Sequence, residues 1–352
     1  NIEELKSELF EKNSMQLQYS TTSGMVGPTE VVSALIASKG EIVAGVRHVQ
    51  EKVRGSCSML ILDDKGRLYA ARDRWGRTPL IVGRRDGSAM VGPGEIDIMT
   101  PEGVQVLVKP GSKMRVCTFL WVYYGYPASA YEGRNVEMTR YRCGAALARR
   151  TPTVADAVCG IPDSGTSHAL GYAHEAGMKF ARPFVKYTPA WARSFMPQDQ
   201  RQRERVASMK LIPIPNLIKS RRLVFCDDSI VRGTQLSDNV GALYSYGVKE
   251  VHMRISCPPL IYPCEFINFA SRNNELDYLS RRIIQKFEGR HDAKLKEYHT
   301  TGTKEYNQMV EAMREQFNLS SLKFSPIEDL IEAIGLPKEQ VCTHCFDGSS
   351  YF

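Results

Sequence analysis

Residues 221–235 read RRLVFCDDSIVRGTQ, and the fold turns on this stretch. An apolar run, Leu223 to Phe225, leads into Cys226 and two adjacent acids, Asp227 and Asp228. Neighbouring carboxylates repel each other, and neither belongs in a core unless something charged or hydroxylic meets it. A helical segment, TQLSDNVGALYSYG (234–247), follows. The loop SIVRGT therefore lies between a strand and a helix. Its backbone N–H groups and the helix N-terminus form a cradle for phosphate. Gly233 allows close approach, and Thr234 is expected to cap the helix. Adjacent acids beside such a cradle suit a sugar diol, a magnesium ion or both.

Working outward, the same alternation continues on both sides. VEMTRYRCGAALARR (136–150) is helical, ADAVCGIP (155–162) a short buried strand, SGTSHALGYAHEAGM (164–178) a turn and helix, and KEVHMRISCPP (249–259) another strand. Alternating strands and helices predict a parallel α/β sheet, with ligands beyond the carboxyl ends of its strands. Residues 1–110 have a different texture. SMLILDDKGRLYAARD (58–73) alternates about the turn DDKG like a hairpin, and only NIEELKSELF (1–10) and PTEVVSALIASKG (28–40) read as helices. We expect two domains, 1–115 and 116–352, with helices at 304–317 and 326–335 near the C-terminus.

The bulk numbers bound the class. The 352 residues, 43% apolar and 24% charged, suit a globular protein of two domains. No apolar run approaches the roughly 20 residues of a membrane span, and no secretory signal is visible, so a cytoplasmic location is expected. The net charge of +7 is concentrated locally. Lys186, Arg193, Arg201, Arg203, Arg205, Lys210, Lys219, Arg221 and Arg222 face only Asp199 and Glu204. Such a segment is either a solvated loop or a surface for one polyanionic ligand, and it does not suit a DNA-binding face. The nine cysteines include one close pair, Cys342 and Cys345 in CTHC, which hints at metal or redox chemistry.

VFCDDSIVRGTQ closely resembles the motif of type I phosphoribosyltransferases that binds 5-phosphoribosyl-1-diphosphate (PRPP). Its long form is similar to that of the amidophosphoribosyltransferases, with Gln235 in place of Thr. CTFLWVYYGYPASAYEGRNV (117–136), IPDSGTSHALGYA (161–173), KYTPAWARSFMPQDQRQR (186–203), MKLIPIPN (209–216) and IEAIGLPKEQVCTHCFDG (331–348) resemble that family's segments in order. The resemblance implies a type I phosphoribosyltransferase fold, a parallel sheet with flanking helices. It implies formation of 5-phosphoribosylamine and diphosphate from PRPP and ammonia, the first step of purine synthesis. It also implies roles. Ser229, Ile230, Val231, Arg232, Gly233 and Thr234 would hold the 5-phosphate. Asp227 and Asp228 would meet the ribose hydroxyls and Mg2+, with Ser164 near the metal. Lys186 and Arg193 would close over the diphosphate.

RDRWGRTPLIVG (72–83) resembles a segment of class II glutamine amidotransferases. That implies part of an N-terminal-nucleophile α+β sandwich over residues 1–115. The chain starts at Asn1 and lacks that family's early glutaminase motifs, and Pro28 stands where its glutamine-binding Asp is expected. Either the glutaminase domain is N-terminally incomplete, which is the expectation, or this is a branch with an altered glutaminase. In both cases we assign no glutaminase nucleophile and expect free ammonia to be the nitrogen donor. Some amidophosphoribosyltransferases hold a [4Fe–4S] cluster, and the resemblance places its ligands at Cys117, Cys264, Cys342 and Cys345. Four thiolates suit such a cluster or zinc, and the cluster is the expectation. The family further implies a homo-oligomer and purine nucleotide feedback inhibitors. A salvage phosphoribosyltransferase and a PRPP-binding regulatory protein are the alternatives.

Overall fold

A computed structural model describes residues 1–13, 26–84, 87–186, 211–267 and 275–351. Three helices come first: α1 (Ile2–Asn13), α2 (Pro28–Ala37) and α3 (Ile42–Lys52). They pack on one face of a four-stranded antiparallel sheet formed by β1 (Met59–Leu62), β2 (Leu68–Ala71), β3 (Ile96–Thr100) and β4 (Gly103–Val108) in that order. Alternation decides which side chains face the helices. Met59, Ala71 and Ile96 join Leu5, Leu9, Val31, Leu35, Val46 and Val49 in one core. The opposite face carries Ala70 beneath Val82 and Val91, from the segment of the hairpin Ile81–Arg84/Gly87–Met90. This region is more helical than its sequence suggests. Helix α3, IVAGVRHVQEK, was not expected, because its valines are the residues that favour strands. What selects the helix is one buried stripe, Val46, Val49 and Gln50.

The rest of the chain builds the α/β layer. Helix α4 (Val136–Arg150) is capped by the Asn135 side chain, which accepts from the Met138 N–H. The sheet has the order β6 (Ala157–Gly160), β7 (Arg222–Asp227), β8 (Glu250–Ile255) and β9 (Ser321–Phe324), with every neighbour parallel. Both its faces are covered. Val224 and Cys226 lie with Leu147, Ala169 and Tyr172 from α4 and α5 (Thr166–Glu175). Leu223 and Phe225 lie in the main core with Leu236 and Val240 of α6 (Thr234–Ser245), Ile283 of α7 (Leu279–Glu288) and Met309 of α8 (Lys304–Gln316). Strand β9 was not anticipated, since SLKF is too short to show a period. A two-stranded parallel ladder, β5 (Val116–Cys117) with β10 (Val341–Cys342), joins the start of this layer to its end.

Helices α4 and α5 cross backbone on backbone. A Cβ built on Gly144 would lie 1.8 Å from the His168 carbonyl oxygen, and one on Gly171 would lie 1.9 Å from that of Tyr141. The crossing seats α5 behind β6 and sets the loop that connects them.

Candidate active site

Two loops leave the carboxyl ends of β6 and β7 side by side. The Ile161 N–H donates to the Cys226 carbonyl at 3.0 Å. A Cβ on Gly165 would fall 2.1 Å from that same carbonyl, so only glycine lets the loops touch. This contact places Ser164 over the strand end, where its Oγ donates to Asp227 Oδ1 at 3.0 Å. The same oxygen accepts from the Asp228 N–H at 2.9 Å, and Ser229 Oγ donates to Asp228 Oδ2 at 2.6 Å. Burial pushes the Asp227 carboxyl well above the ordinary carboxylate range, and Asp228 beside it pushes the same way. The pair is therefore short of positive charge.

Beyond Asp228 the chain turns through residues 229–233 into α6. Gly233 has φ +79°, and a Cβ there would lie 2.5 Å from the Phe317 ring. Gly233 itself occupies the N-cap, and no side chain caps the helix. This corrects the expected cap by Thr234, which is already the first helical residue. The loop is anchored from outside: the Leu279 N–H donates to the Val231 carbonyl at 2.8 Å, and Arg232 pairs with Asp277 at 2.7 Å. Arg232 thus points to a neighbouring helix turn, which leaves backbone amides as the donors of the cradle.

Both loops line one cavity of about 1280 Å³, together with Lys186, Arg140 and residues Tyr123–Pro127. Lys186 Nζ lies 3.0 Å from Asp163 Oδ2 in the β6–α5 loop. The structure thus gathers Ser164, Lys186, Asp227, Asp228 and 229–234 around one space. Arg193 falls outside the described residues, as do Arg201, Arg203, Arg205 and Lys210 of the basic stretch.

The opposite wall was not anticipated. A turn of π-helix, Leu120–Tyr124, presents Tyr123 and Tyr124 to the cavity, and Tyr126 follows with 74% exposure. Behind them sits Arg140 of α4, itself buried. Its guanidinium donates to the carbonyls of Trp121 at 2.8 Å, Tyr123 at 3.0 Å and Gly125 at 3.0 Å. In the sequence Arg140 is one of four arginines in a helix, and nothing local distinguishes it.

A second gathering lies at the β5–β10 ladder. Cys117 and Cys342 are register partners, and Cys264 and Cys345 share a hydrogen bond. Donation from Cys345 holds the Cys264 thiol down to about 6, and Cys117 and Cys342 are within electrostatic range of both. Arg77 Nη1 donates to Cys342 Sγ at 3.2 Å and the Ile267 N–H to Cys264 Sγ at 3.3 Å. Among the described residues no three His, Cys, Asp or Glu side chains are placed to hold a metal ion. Four thiols, with N–H groups aimed at two of the sulfurs, are a donor set whose chemistry suits an iron–sulfur cluster or zinc.

Comparisons with known proteins bear on both halves. A family model described as a glutamine amidotransferase domain matches residues 1–100. The amidophosphoribosyltransferase of Methanothermobacter thermautotrophicus is 29% identical over 371 residues, covering 99% of this chain and 71% of that protein. The chloroplastic amidophosphoribosyltransferase of Vigna aconitifolia is 30% identical over 370 residues, covering 99% and 69%. Glutamine PRPP amidotransferase from B. subtilis, solved with ADP and GMP, superposes with a TM-score of 0.80 at 26% identity, over 99% of this chain and 74% of that one. No described helix is long and apolar enough to cross a membrane.

Proposed function

This chain belongs to the amidophosphoribosyltransferase family, enzymes that open purine biosynthesis by forming 5-phosphoribosylamine, and we propose that the cavity between the β6 and β7 loops is where its PRPP and ammonia meet. The observation that carries this reading is the convergence of Ser164, Lys186, Asp227, Asp228 and residues 229–234 on one space.

Each group has a role its chemistry suits. The amides of 229–234 receive the 5-phosphate. Asp227 and Asp228 accept from the ribose hydroxyls, which fixes C1 over the cavity. Lys186 leaves Asp163 for the departing diphosphate, where its charge offsets the charge that develops there. The C1–O bond to diphosphate breaks, a C1–N bond forms, and the added nitrogen sheds one proton to water. Ammonia is already a nucleophile, so no general base is demanded. A magnesium ion, held by Asp227, Asp228 and Ser164, would supply further positive charge for the diphosphate. Arg193 is proposed to join Lys186 there.

Cys117, Cys264, Cys342 and Cys345 are proposed to hold a [4Fe–4S] cluster, which would cross-link three distant segments of chain. An anaerobic preparation should then be brown and carry about four irons per chain; a colourless, iron-free protein removes this part of the reading. Purine nucleotides as feedback ligands and a homo-oligomeric assembly belong to the same proposal. The ADP- and GMP-bound B. subtilis relative supports the former.

Diphosphate release from PRPP and Mg2+ tests the main reading. Release should require ammonium ion in the buffer and rise with the free-ammonia fraction. Release that requires a nucleobase instead would make the chain a salvage enzyme, and tight PRPP binding without release would make it a regulator.

A further inference from the structure

One carboxylate sits where backbone preference argues against it. Ala130–Tyr131 pairs with Arg134–Asn135 in a tight antiparallel hairpin, leaving a two-residue turn, Glu132-Gly133, with φ +49° and +71°. Turns with both central φ values positive favour Asn, Asp or Gly at the first place. Glutamate has no such advantage, so its choice asks for another cause.

Its partner supplies one. The Glu132 carboxylate meets Arg72 Nη2 at 2.7 Å. Arg72 is completely buried, and its other bonds go to carbonyls of its own layer, at Thr78, Val91 and Gly76. The ion pair therefore ties the antiparallel layer to the α/β layer through a desolvated cation, where an unmet charge is costly.

The same hairpin grips the tyrosine wall. Tyr131 packs edge-on against Trp121 at 6.0 Å, and the Trp121 indole N–H donates to the Arg134 carbonyl at 3.0 Å. Gly125 lies so close that a Cβ there would be 2.8 Å from Tyr131 Cε2. Tyr123, Tyr124 and Gly125 in turn line the cavity.

We propose that Glu132 is a positioning residue: its ion pair with Arg72 docks the 130–135 hairpin and so sets the tyrosine wall in the geometry that phosphoribosyl transfer needs. The inference rests on the reading of the cavity as the PRPP site. Glu132 touches no substrate; it acts through Tyr131 and the 121–125 segment.

Two variants separate positioning from turn formation. Glu132→Gly and Glu132→Asp both suit the turn better than glutamate, but the first has no carboxylate and the second is a methylene short. A residue that served only the turn would leave melting temperature and kcat unchanged or raised in both. Positioning predicts a melting temperature lowered in both variants, because the buried Arg72 charge loses its partner, a kcat lowered by about tenfold, and a KM for PRPP within about twofold. Amide hydrogen exchange over residues 120–126 should quicken in both variants without PRPP present, while β7 and β8 exchange as before. Unchanged exchange at 120–126 overturns the proposal, as does faster exchange with an undiminished kcat. A wild-type chain that releases no diphosphate would sink the functional reading instead, and the exchange measurement would still decide whether Glu132 holds the wall.

Discussion

The aspartate wall of the cavity hangs from two parallel strand ends in direct backbone contact, whereas the tyrosine wall hangs from side chains, three guanidinium hydrogen bonds from Arg140 and one ion pair from Arg72 to the neighbouring hairpin. Backbone contacts between adjacent loops leave little room for adjustment. Side-chain clamps can be weakened one bond at a time. The two walls should therefore fail differently, the first abruptly and the second by degrees.

The largest effect is expected at Asp228→Ala, which should lower diphosphate release by about a hundredfold or more while leaving the fold intact. Asp227→Asn should match it in activity and diverge in stability. The Asp227 carboxyl is raised above its unfolded value of 3.8 by burial and by Asp228. Between the two values the folded state holds a proton that the unfolded state has released, so ligand-free stability falls as pH rises from about 4 through the folded value. Melting curves from about pH 4 to 8 should slope less for Asp227→Asn than for wild type; parallel slopes would show that the aspartate wall carries no charge strain.

Gly165→Ala comes next. Its methyl group would press on the Cys226 carbonyl, and urea titration should register a loss of about 1–3 kcal/mol along with weaker PRPP binding. Arg140→Lys keeps the charge but reaches one carbonyl instead of three. We expect about 1–2 kcal/mol of destabilisation and a lower kcat at an unchanged KM for PRPP; a raised KM alone would mean that the two walls are not separable. Smallest of all should be Arg232→Ala, which removes an exposed pair with Asp277, worth less than about 1 kcal/mol. A large loss of PRPP affinity there would show that the Arg232 side chain, and not only the loop amides, holds phosphate.

The same contrast explains what could be foreseen from the sequence. The strand β7 and the 229–234 loop are a continuous run of residues, each chosen for a local reason, so their pattern is visible without a fold. Helices α4, α5 and α6 declared themselves by their period. Arg140 and Glu132 owe their places to partners 15–19 and 60 positions away, and no local pattern marks them. The capping role expected of Thr234 failed for a related reason: Phe317, distant in sequence, closes over position 233 and leaves the N-cap to glycine.

The crossing of α4 and α5 has a consequence for anyone who would redesign the pocket. Gly144 and Gly171 interlock the two helices with no side chain between them to trim or enlarge. One helix carries Arg140 and the other begins beneath Ser164, so the crossing works as a fixed gauge between the walls. Altered substrate width will have to come from replacing residues on the rim, at Tyr123, Tyr124 or Tyr126, because the spacing of the frame itself offers no tunable part.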